Sequence, residues 1–152
     1  GLRAAGGWGE GHLCGFDECP IRRLLTFGAV PVVAGFQAAL ESGEIVTLGR
    51  GASDLTAVYL AAQLGAEECH IITDVDGVYH ADPRQHPNAR RYDVLSHQQL
   101  VTLATGGASV VQVAAAEAAL SYGVVLRVYH YQSALSGVSG TVVREQPGEV
   151  AV

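Results

Sequence analysis

The chain contains no lysine and no methionine, so all nine of its basic side chains are arginines. A reaction step that needs a lysine ammonium therefore cannot be completed by this chain alone. Because a sequence without methionine does not begin at its own start codon, we expect a processed product or an internal fragment of a longer protein.

Long apolar runs and basic clusters are also missing. No apolar stretch approaches the ~20 residues that cross a bilayer, and residues 1–5 lack the apolar core of a signal peptide. A net charge of −6 without a basic run argues against binding to nucleic acid or to an anionic membrane surface. We therefore expect a cytoplasmic protein that binds neither nucleic acid nor a membrane.

Cysteine is scarce. Cys14, Cys19 and Cys69 are an odd number of thiols, and no histidine pair matches them in the spacing that zinc sites use. The sequence therefore predicts no metal site. A reducing compartment is the simplest interpretation of these thiols.

The residues that are present indicate one globular domain. The chain has 152 residues, of which 49% are hydrophobic and 16% are charged, which supports a single core and excludes general disorder. The glycine-rich residues 1–16 are expected to form a loop or a poorly ordered edge. Residues 145–152 are expected to be poorly ordered as well.

Apolar periodicity and turn residues predict alternating helices and strands. In chain order, the predicted elements are a helix from Asp17, a buried strand at 30–34, an apolar segment at 44–47, a helix at 54–64, a strand at 69–73, helices at 96–104 and 109–122, and strands at 124–128 and 140–143. Their short connections indicate an α/β fold with helices layered on a largely parallel sheet. Ligands of such folds bind at the carboxyl ends of the strands.

The most informative segment is the glycine turn, residues 48–54, with the sequence LGRGASD. Glycines let the backbone approach an anion closely, and a helix that starts here would point unpaired N–H groups at it. Arg50 adds a planar set of donors suited to a carboxylate or a phosphate, and Ser53 and Asp54 are residue types that cap helices. The turn suits a small anionic substrate, although an ordinary strand-to-helix turn with a solvated arginine has the same pattern.

Three segments resemble known proteins. The glycine turn resembles the aspartokinase motif LGRGGSD, and GAVPVVAGF (28–36) is similar to the aspartokinase sequence just upstream of that motif. ITDVDGVYHADPR (72–84) resembles the nucleotide-binding segment of the amino-acid kinase family. The 72–84 segment is shared across that family, whereas the glycine turn discriminates the aspartokinases.

The resemblance covers most of the chain. It implies the three-layer αβα fold of the amino-acid kinases, of carbamate kinase-like type, with a mainly parallel sheet. Residues 1–152 would form the C-terminal portion of the kinase domain, with its N-terminal part missing. The implied reaction is the ATP-dependent phosphorylation of the aspartate side-chain carboxylate, a step in the biosynthesis of lysine and related amino acids.

The resemblance also implies roles for the glycine turn. Arg50, Gly51, Ala52 and Ser53 would hold the amino-acid substrate. Asp54 would be the catalytic residue, which organises the active site and orients a phosphate-binding lysine. The alternative for Asp54 is a plain helix N-cap.

For the nucleotide, the resemblance implies contacts from Thr73, Asp74, Tyr79, Arg84 and the position of Ser109. The alternatives are capping of a strand end by Thr73 and Asp74, a core tyrosine and a solvated arginine. ATP with Mg²⁺ is expected, without a dedicated magnesium ligand that the sequence can name. The resemblance further implies a homo-oligomer.

Three departures from the family pattern bear on activity. The N-terminal Lys-Phe-Gly-Gly motif, which supplies the lysine that neutralises the transferred phosphate, is absent. Residues 107–113 are GASVVQV where the family has GAKVLHP, so Ser109 replaces a lysine that contacts the nucleotide. Ala52 replaces the second glycine of GRGGSD, which is harmless unless that position requires a positive φ.

Two other functions therefore stay open. Losing one charged transition-state contact costs roughly 10²–10³ in rate, so a chain without both lysines could be a relative that binds nucleotide or amino acid without catalysis. Another amino-acid kinase, such as a glutamate 5-kinase, is the second alternative. The sequence of the glycine turn argues against it.

Overall fold

The computed structural model describes residues 1–7, 11–107, 110–135 and 140–145. These residues form two four-stranded sheets and four α-helices. In chain order, the elements are β1 (Leu2–Ala5), β2 (His12–Phe16), α1 (Cys19–Thr26), β3 (Gln37–Ala39), β4 (Ile45–Thr47), α2 (Ala52–Leu64), β5 (Cys69–Thr73), β6 (Val94–Leu95), α3 (His97–Thr105), α4 (Val113–Tyr122), β7 (Leu126–His130), a 3₁₀ helix (Tyr131–Leu135) and β8 (Thr141–Val143).

The larger core lies beneath the sheet with the strand order β5-β7-β8-β6. Strands β5 and β7 are parallel, as are β6 and β8, whereas β7 and β8 are antiparallel. The buried side chains of these strands pack against apolar residues of α2, α3 and α4, among them Val58, Leu100 and Ala115. The sequence-predicted α/β layering with a mainly parallel sheet is confirmed for this part of the chain.

Residues 2–5 and 12–16 form strands of the second sheet, so the predicted alternative of a loop is wrong for them, whereas β2 does lie at the edge of that sheet. Strands β1 and β2 pair with each other, and β1 also pairs in parallel with β3 to give the order β2-β1-β3-β4. Leu2, Ala4, Ala38 and Val46 form its small core. The strands are short and β3 is distant in the sequence, so local apolar periodicity does not reveal the pairing.

Capping residues set the helix ends. Ser96 is the N-cap of α3 and forms a capping box with Gln99. The Ser96 hydroxyl accepts a hydrogen bond from the Gln99 N–H at 3.2 Å, and the Gln99 side-chain oxygen accepts one from the Ser96 N–H at 2.9 Å. Gly65 and Gly123 end α2 and α4 in the left-handed conformation, as sequence analysis predicts. Helix α4 begins at Val113, four residues later than predicted.

The predicted buried strand at residues 30–34 is wrong. Residues 29–35 form neither helix nor strand, and Val30 and Val32 are 88% and 95% exposed. A β-branched run becomes a strand only where a neighbouring strand pairs with it, and none of the described residues does so. The run therefore lies on the surface, and Leu24 and Phe27, a few residues earlier in the chain, are exposed as well.

None of the helices in the described ranges combines the length and the apolar character that crossing a bilayer requires.

Candidate functional site

The glycine turn joins β4 to α2. Gly49 and Gly51 have φ values of 85° and 75°, which L-residues rarely adopt. Gly51 is the N-cap of α2, and no side chain caps the helix. Ser53 and Asp54 are therefore not N-caps, contrary to the prediction from their residue types, and no side chain competes for the helix-start N–H groups as anion donors.

Ala52 is the first residue of α2, and its φ is not positive. The methyl group that replaces the family's second glycine therefore adds no backbone strain. Ala52 is also buried, and its carbonyl oxygen accepts the Thr56 hydroxyl at 2.6 Å.

Gly51 lies against Gln112, the N-cap residue of α4. A Cβ on Gly51 would be 2.7 Å from the Gln112 Cβ and 3.0 Å from its Cδ. Glycine is therefore required here both by its backbone conformation and by the lack of space. This contact joins the glycine turn to the start of α4.

Asp54 lies in the first turn of α2 and is half-buried. Burial raises the pKa of its carboxyl group, and a hydrogen bond to the Gln112 backbone opposes that rise. Ser53 is exposed and lies next to Gly35, where a Cβ would be 3.3 Å from the Ser53 Cα. The turn thus presents a hydroxyl and a partly desolvated carboxylate side by side.

Arg50 is exposed and forms no hydrogen bond or ion pair with any residue that the structure describes. Its guanidinium is free to turn toward a bound anion. Arginine suits that task because its planar donors match a carboxylate in two-point contact.

The first part of the 72–84 segment follows β5. The Thr73 hydroxyl donates to the Asp74 carboxylate at 3.1 Å, and Arg84 donates to its other oxygen at 3.3 Å. The Thr73 hydrogen bond is the main cause that lowers the pKa of Asp74, and Arg84 adds to it. Because the Asp74–Arg84 pair is largely exposed, it contributes little stability, and a phosphate could replace Asp74 as the partner of Arg84.

The second part of the segment is organised by Asp76. Its carboxylate accepts the Tyr79 hydroxyl at 2.7 Å and the Arg91 guanidinium at 3.2 Å. The hydrogen bond to Tyr79 lowers the pKa of Asp76 and raises that of Tyr79. Tyr79 is only partly buried, so it is not a core tyrosine.

An open cleft of about 300 Å³ collects most of the predicted nucleotide residues. Its walls are formed by Asp74, Val75, Gly77, Tyr79, Asp82, Pro83, Arg84, Gly107 and Val110. Thr73 reaches this cleft through its hydrogen bond to Asp74. Ser109 lies outside the described residues, whereas Gly107 and Val110 on either side of it in the sequence line the cleft.

The described residues of the 107–112 segment contact both the Asp74 cleft and the glycine turn. Gly107 and Val110 line the cleft, and Gln112 contacts Gly51 of the glycine turn. The two groups of predicted site residues are therefore connected by one short stretch of chain. From the sequence, this segment is expected to contribute a nucleotide contact at Ser109, but no link from Gln112 to the glycine turn is predicted.

The chain is similar to known proteins over most of its length. The model of the amino acid kinase family matches residues 6–130. The chain belongs to the amino acid kinase family.

Aspartokinases are among its similar relatives. The chain is 43% identical over 145 residues to the aspartokinase of Thermus thermophilus, an alignment that covers 95% of this chain and 35% of that protein. It is 52% identical over 114 residues to the aspartokinase of Pseudomonas aeruginosa, which covers 75% and 28% respectively. These similarities confirm the resemblance on which the sequence analysis relied.

The fold of this amino acid kinase chain also matches a solved structure. Escherichia coli aspartokinase III in complex with aspartate and ADP, in its R-state, superimposes with a TM-score of 0.82 and 30% identity, covering 97% of this chain and 34% of that one. The match confirms the predicted fold class. The chain spans about a third of the length of the curated aspartokinases that it matches.

One site residue of this amino acid kinase chain was missed by sequence analysis. Arg91 holds Asp76 through both its carboxylate and its carbonyl oxygen, at 3.2 and 3.3 Å. Its place in a polar loop carries no periodicity or motif that marks it as a partner of Asp76. The β-bridge between Tyr79 and Arg91 and the hydrogen bond from the Tyr92 N–H to the Val78 carbonyl oxygen bring the two loops together.

The titratable groups of the described residues offer no metal centre. No cluster of three or more histidine, cysteine, aspartate or glutamate side chains could hold an ion there. The three cysteines are free thiols, and burial raises the pKa of Cys69 to about 11. Cys69 is therefore a packing residue of β5 and not a thiolate ligand or nucleophile.

Proposed function

We propose that this chain forms the nucleotide-binding and substrate-binding portion of an aspartokinase, which transfers the γ-phosphoryl group of ATP to the side-chain carboxylate of aspartate. The observation that supports it most is the connection of the glycine turn to the Asp74 cleft by the 107–112 segment. Phosphoryl transfer needs two substrates held next to each other more than it needs covalent chemistry from the protein.

In this proposal, the glycine turn binds aspartate. Arg50 pairs with a carboxylate of the amino acid, and the N–H groups at Gly51 and Ser53 face that anion at the positive end of the α2 dipole. The Ala52 N–H donates to the Gly49 carbonyl oxygen at 3.4 Å, so Ala52 serves by shaping the turn. Asp54 organises the site and orients the lysine that neutralises the transferred phosphate. Its partly buried position strengthens such a charge pair.

The cleft binds the nucleotide. Thr73 and Asp74 offer a hydroxyl and a carboxylate to polar groups of the nucleoside, and Tyr79 offers an aromatic surface. Arg84 pairs with the phosphates. Ser109, at the position of a family lysine, contributes only a neutral polar contact.

Magnesium enters this site bound to ATP. Mg²⁺ is usually held by substrate phosphates, waters and one or two carboxylates, so it does not require a metal cluster from the protein alone. The ion would reduce the negative charge of the phosphates. Within this proposal the chain is a single domain, located in the cytoplasm, that assembles as a homo-oligomer.

In this proposal, catalysis requires a lysine, which this chain does not contain. Because it has no lysine, the phosphate-neutralising lysine must come from another segment of a longer protein or from a second polypeptide. A chain that binds both ligands without transferring phosphate is the second candidate function. The serine at position 109 favours it.

Calorimetric titration and a coupled ADP-release assay test these proposals. We expect the chain to bind ATP with Mg²⁺ and to bind aspartate in preference to glutamate. We expect turnover only when the missing lysine-bearing segment is supplied. Binding without turnover in its presence would select the second candidate, and binding of neither ligand would exclude both.

A further inference from the structure

Thr141, the first residue of β8, lies directly beneath the 72–84 segment and is 1% exposed. Its hydroxyl accepts a hydrogen bond from the Val78 N–H at 2.8 Å and donates one to the Tyr92 carbonyl oxygen at 2.5 Å. The Val78 carbonyl oxygen in turn accepts the Tyr92 N–H at 2.9 Å. One buried hydroxyl therefore joins β8 to two separate stretches of chain.

Gly77 packs closely against the Thr141 hydroxyl. A Cβ on Gly77 would be 2.6 Å from the Thr141 Oγ1 and 2.7 Å from the Arg91 Cδ. The next residue, Val78, is fully buried. The backbone of this turn is thus confined by Thr141 and Arg91, and it cannot shift toward them without a clash.

Gly77 and Tyr79 form one wall of the Asp74 cleft, whereas Thr141 does not line it. We propose that Thr141 is a positioning residue for nucleotide binding, whose hydroxyl acts through the Val78 N–H to hold this wall in place. The inference rests on the proposed function, because it takes the cleft as the nucleotide site. Nothing in the established family assignment or in the sequence motifs gives Thr141 this role.

Replacing the hydroxyl with a methyl group would leave the Val78 N–H and the Tyr92 carbonyl oxygen buried without their partner. Such groups are costly to leave unpaired, so the turn would move to let the Val78 N–H reach water. Tyr79 would move with it because it is the next residue in the chain. The glycine turn makes no hydrogen bond to Thr141 and would keep its geometry.

The test compares Thr141→Val with Thr141→Ser in the full chain. ATP with Mg²⁺ and aspartate are titrated separately by calorimetry, and amide exchange at Val78 is followed without ligand. Thr26→Val is the matched control, since the Thr26 hydroxyl bonds an exposed helix carbonyl at the end of α1. Thr141→Cys, which loses the γ-methyl group and keeps only a weakly hydrogen-bonding thiol, replaces the valine variant if that variant does not fold.

We expect Thr141→Val to weaken ATP binding about tenfold and to speed Val78 amide exchange, with aspartate affinity unchanged. Thr141→Ser should retain wild-type ATP affinity, and Thr141→Cys should fall between them. Wild-type ATP affinity in the valine or cysteine variant would overturn the inference alone. Equal losses for ATP and aspartate would also overturn it, and a wild-type chain that binds no ATP would overturn the proposed function together with the inference.

Discussion

Gly51 and Gln112 are packed so closely that no Cβ fits between them. The backbone of the same glutamine hydrogen-bonds Asp54, three residues after Gly51. The N-cap residue of α4 therefore fixes two points of the glycine turn. A change on either side of this contact is expected to alter how the turn presents its N–H groups.

Gly51→Ala is expected to destabilise the chain through two separate effects. The left-handed backbone costs about 1–2 kcal/mol for a residue with a Cβ, and the overlap with Gln112 adds about 1–3 kcal/mol. Urea unfolding monitored by circular dichroism measures the sum. Aspartate binding is expected to weaken in the same variant, because the N–H groups of the turn shift.

Gly49→Ala is the matched control, since Gly49 has a φ of 85° and no neighbouring atom within 4 Å of its Cβ position. Gly49→Ala should lose only the stability that the left-handed backbone costs, without the part that comes from overlap with Gln112. Adding Gln112→Gly to Gly51→Ala should recover the part that comes from overlap. Equal losses of stability in the two alanine variants would show that the contact with Gln112 carries no cost.

Arg50 and Arg84 are expected to serve different ligands. Arg50→Ala should weaken aspartate binding by about 10–100-fold and leave ATP binding unchanged, as expected for one lost charge-assisted contact of roughly 1.5–3 kcal/mol. Arg84→Ala should weaken ATP binding and leave aspartate binding unchanged. Neither variant should lose much stability, because both side chains are exposed.

Calorimetric titration of both ligands into each variant provides the measurement. Arg23→Ala, at an exposed arginine in the last turn of α1, is the control for loss of a positive charge. If Arg50→Ala and Arg84→Ala weaken the same ligand to the same extent, the division of the site into two binding regions is wrong.

The elements that sequence analysis predicted correctly carry their own local signals. Helix α2 is apolar on nearly all sides and ends at Gly65, and α3 begins with a capping box at Ser96. The predicted strand at 69–73 agrees with β5. In each case, the stretch of sequence that forms the element also contains the residues that start or stop it.

The elements that it missed depend on partners elsewhere in the chain. Strand β1 lies between β2 and β3 and pairs with both, whereas the 30–34 run stays outside any sheet because no described strand reaches it. The same holds for the site, where motif residues were predicted but Arg91 and Gln112 were not assigned. Their contacts arise from tertiary packing, to which no periodicity in the sequence corresponds.

Asp54→Asn is expected to stabilise the chain at neutral pH. Burial holds the pKa of Asp54 above its ordinary value of 3.8 despite the hydrogen bond from Gln112, so the folded chain binds this proton more tightly than the unfolded chain does. The charged carboxylate therefore reduces the free energy of unfolding above the folded-state pKa. An asparagine removes that charge and can still accept the hydrogen bond.

Urea unfolding of wild type and Asp54→Asn across a pH series measures this effect. The stability advantage of the variant should be largest near neutral pH and should disappear below 3.8, where the wild-type carboxyl is neutral in both states. An advantage that does not depend on pH would contradict desolvation as its cause. When the lysine-bearing segment is supplied, kinase turnover is expected in the wild type and not in the variant, because residue 54 would no longer orient the lysine.

Glu68 is expected to make the chain sensitive to acid. Its carboxylate accepts a hydrogen bond from the Arg127 Nε–H at 2.5 Å and another from a terminal N–H of the same guanidinium at 2.8 Å. The His70 Nε2 lies 3.1 Å from the Glu68 Oε2. The hydrogen bond from Arg127 is the main cause that lowers the pKa of Glu68 from 4.5 to about 2. These contacts link the residue before β5 to β7, its neighbour in the sheet.

Because the folded-state pKa is depressed, the stabilisation from this pair is complete above pH 4.5 and is lost as the pH falls toward about 2. Glu68→Gln should therefore lower stability at neutral pH and flatten the loss of stability over that acid range. Exposed Glu117, on α4, provides the control variant Glu117→Gln, which should follow the wild-type curve. Acid unfolding curves that run parallel for wild type and Glu68→Gln would show that the Arg127 pair does not contribute to the acid sensitivity of the fold.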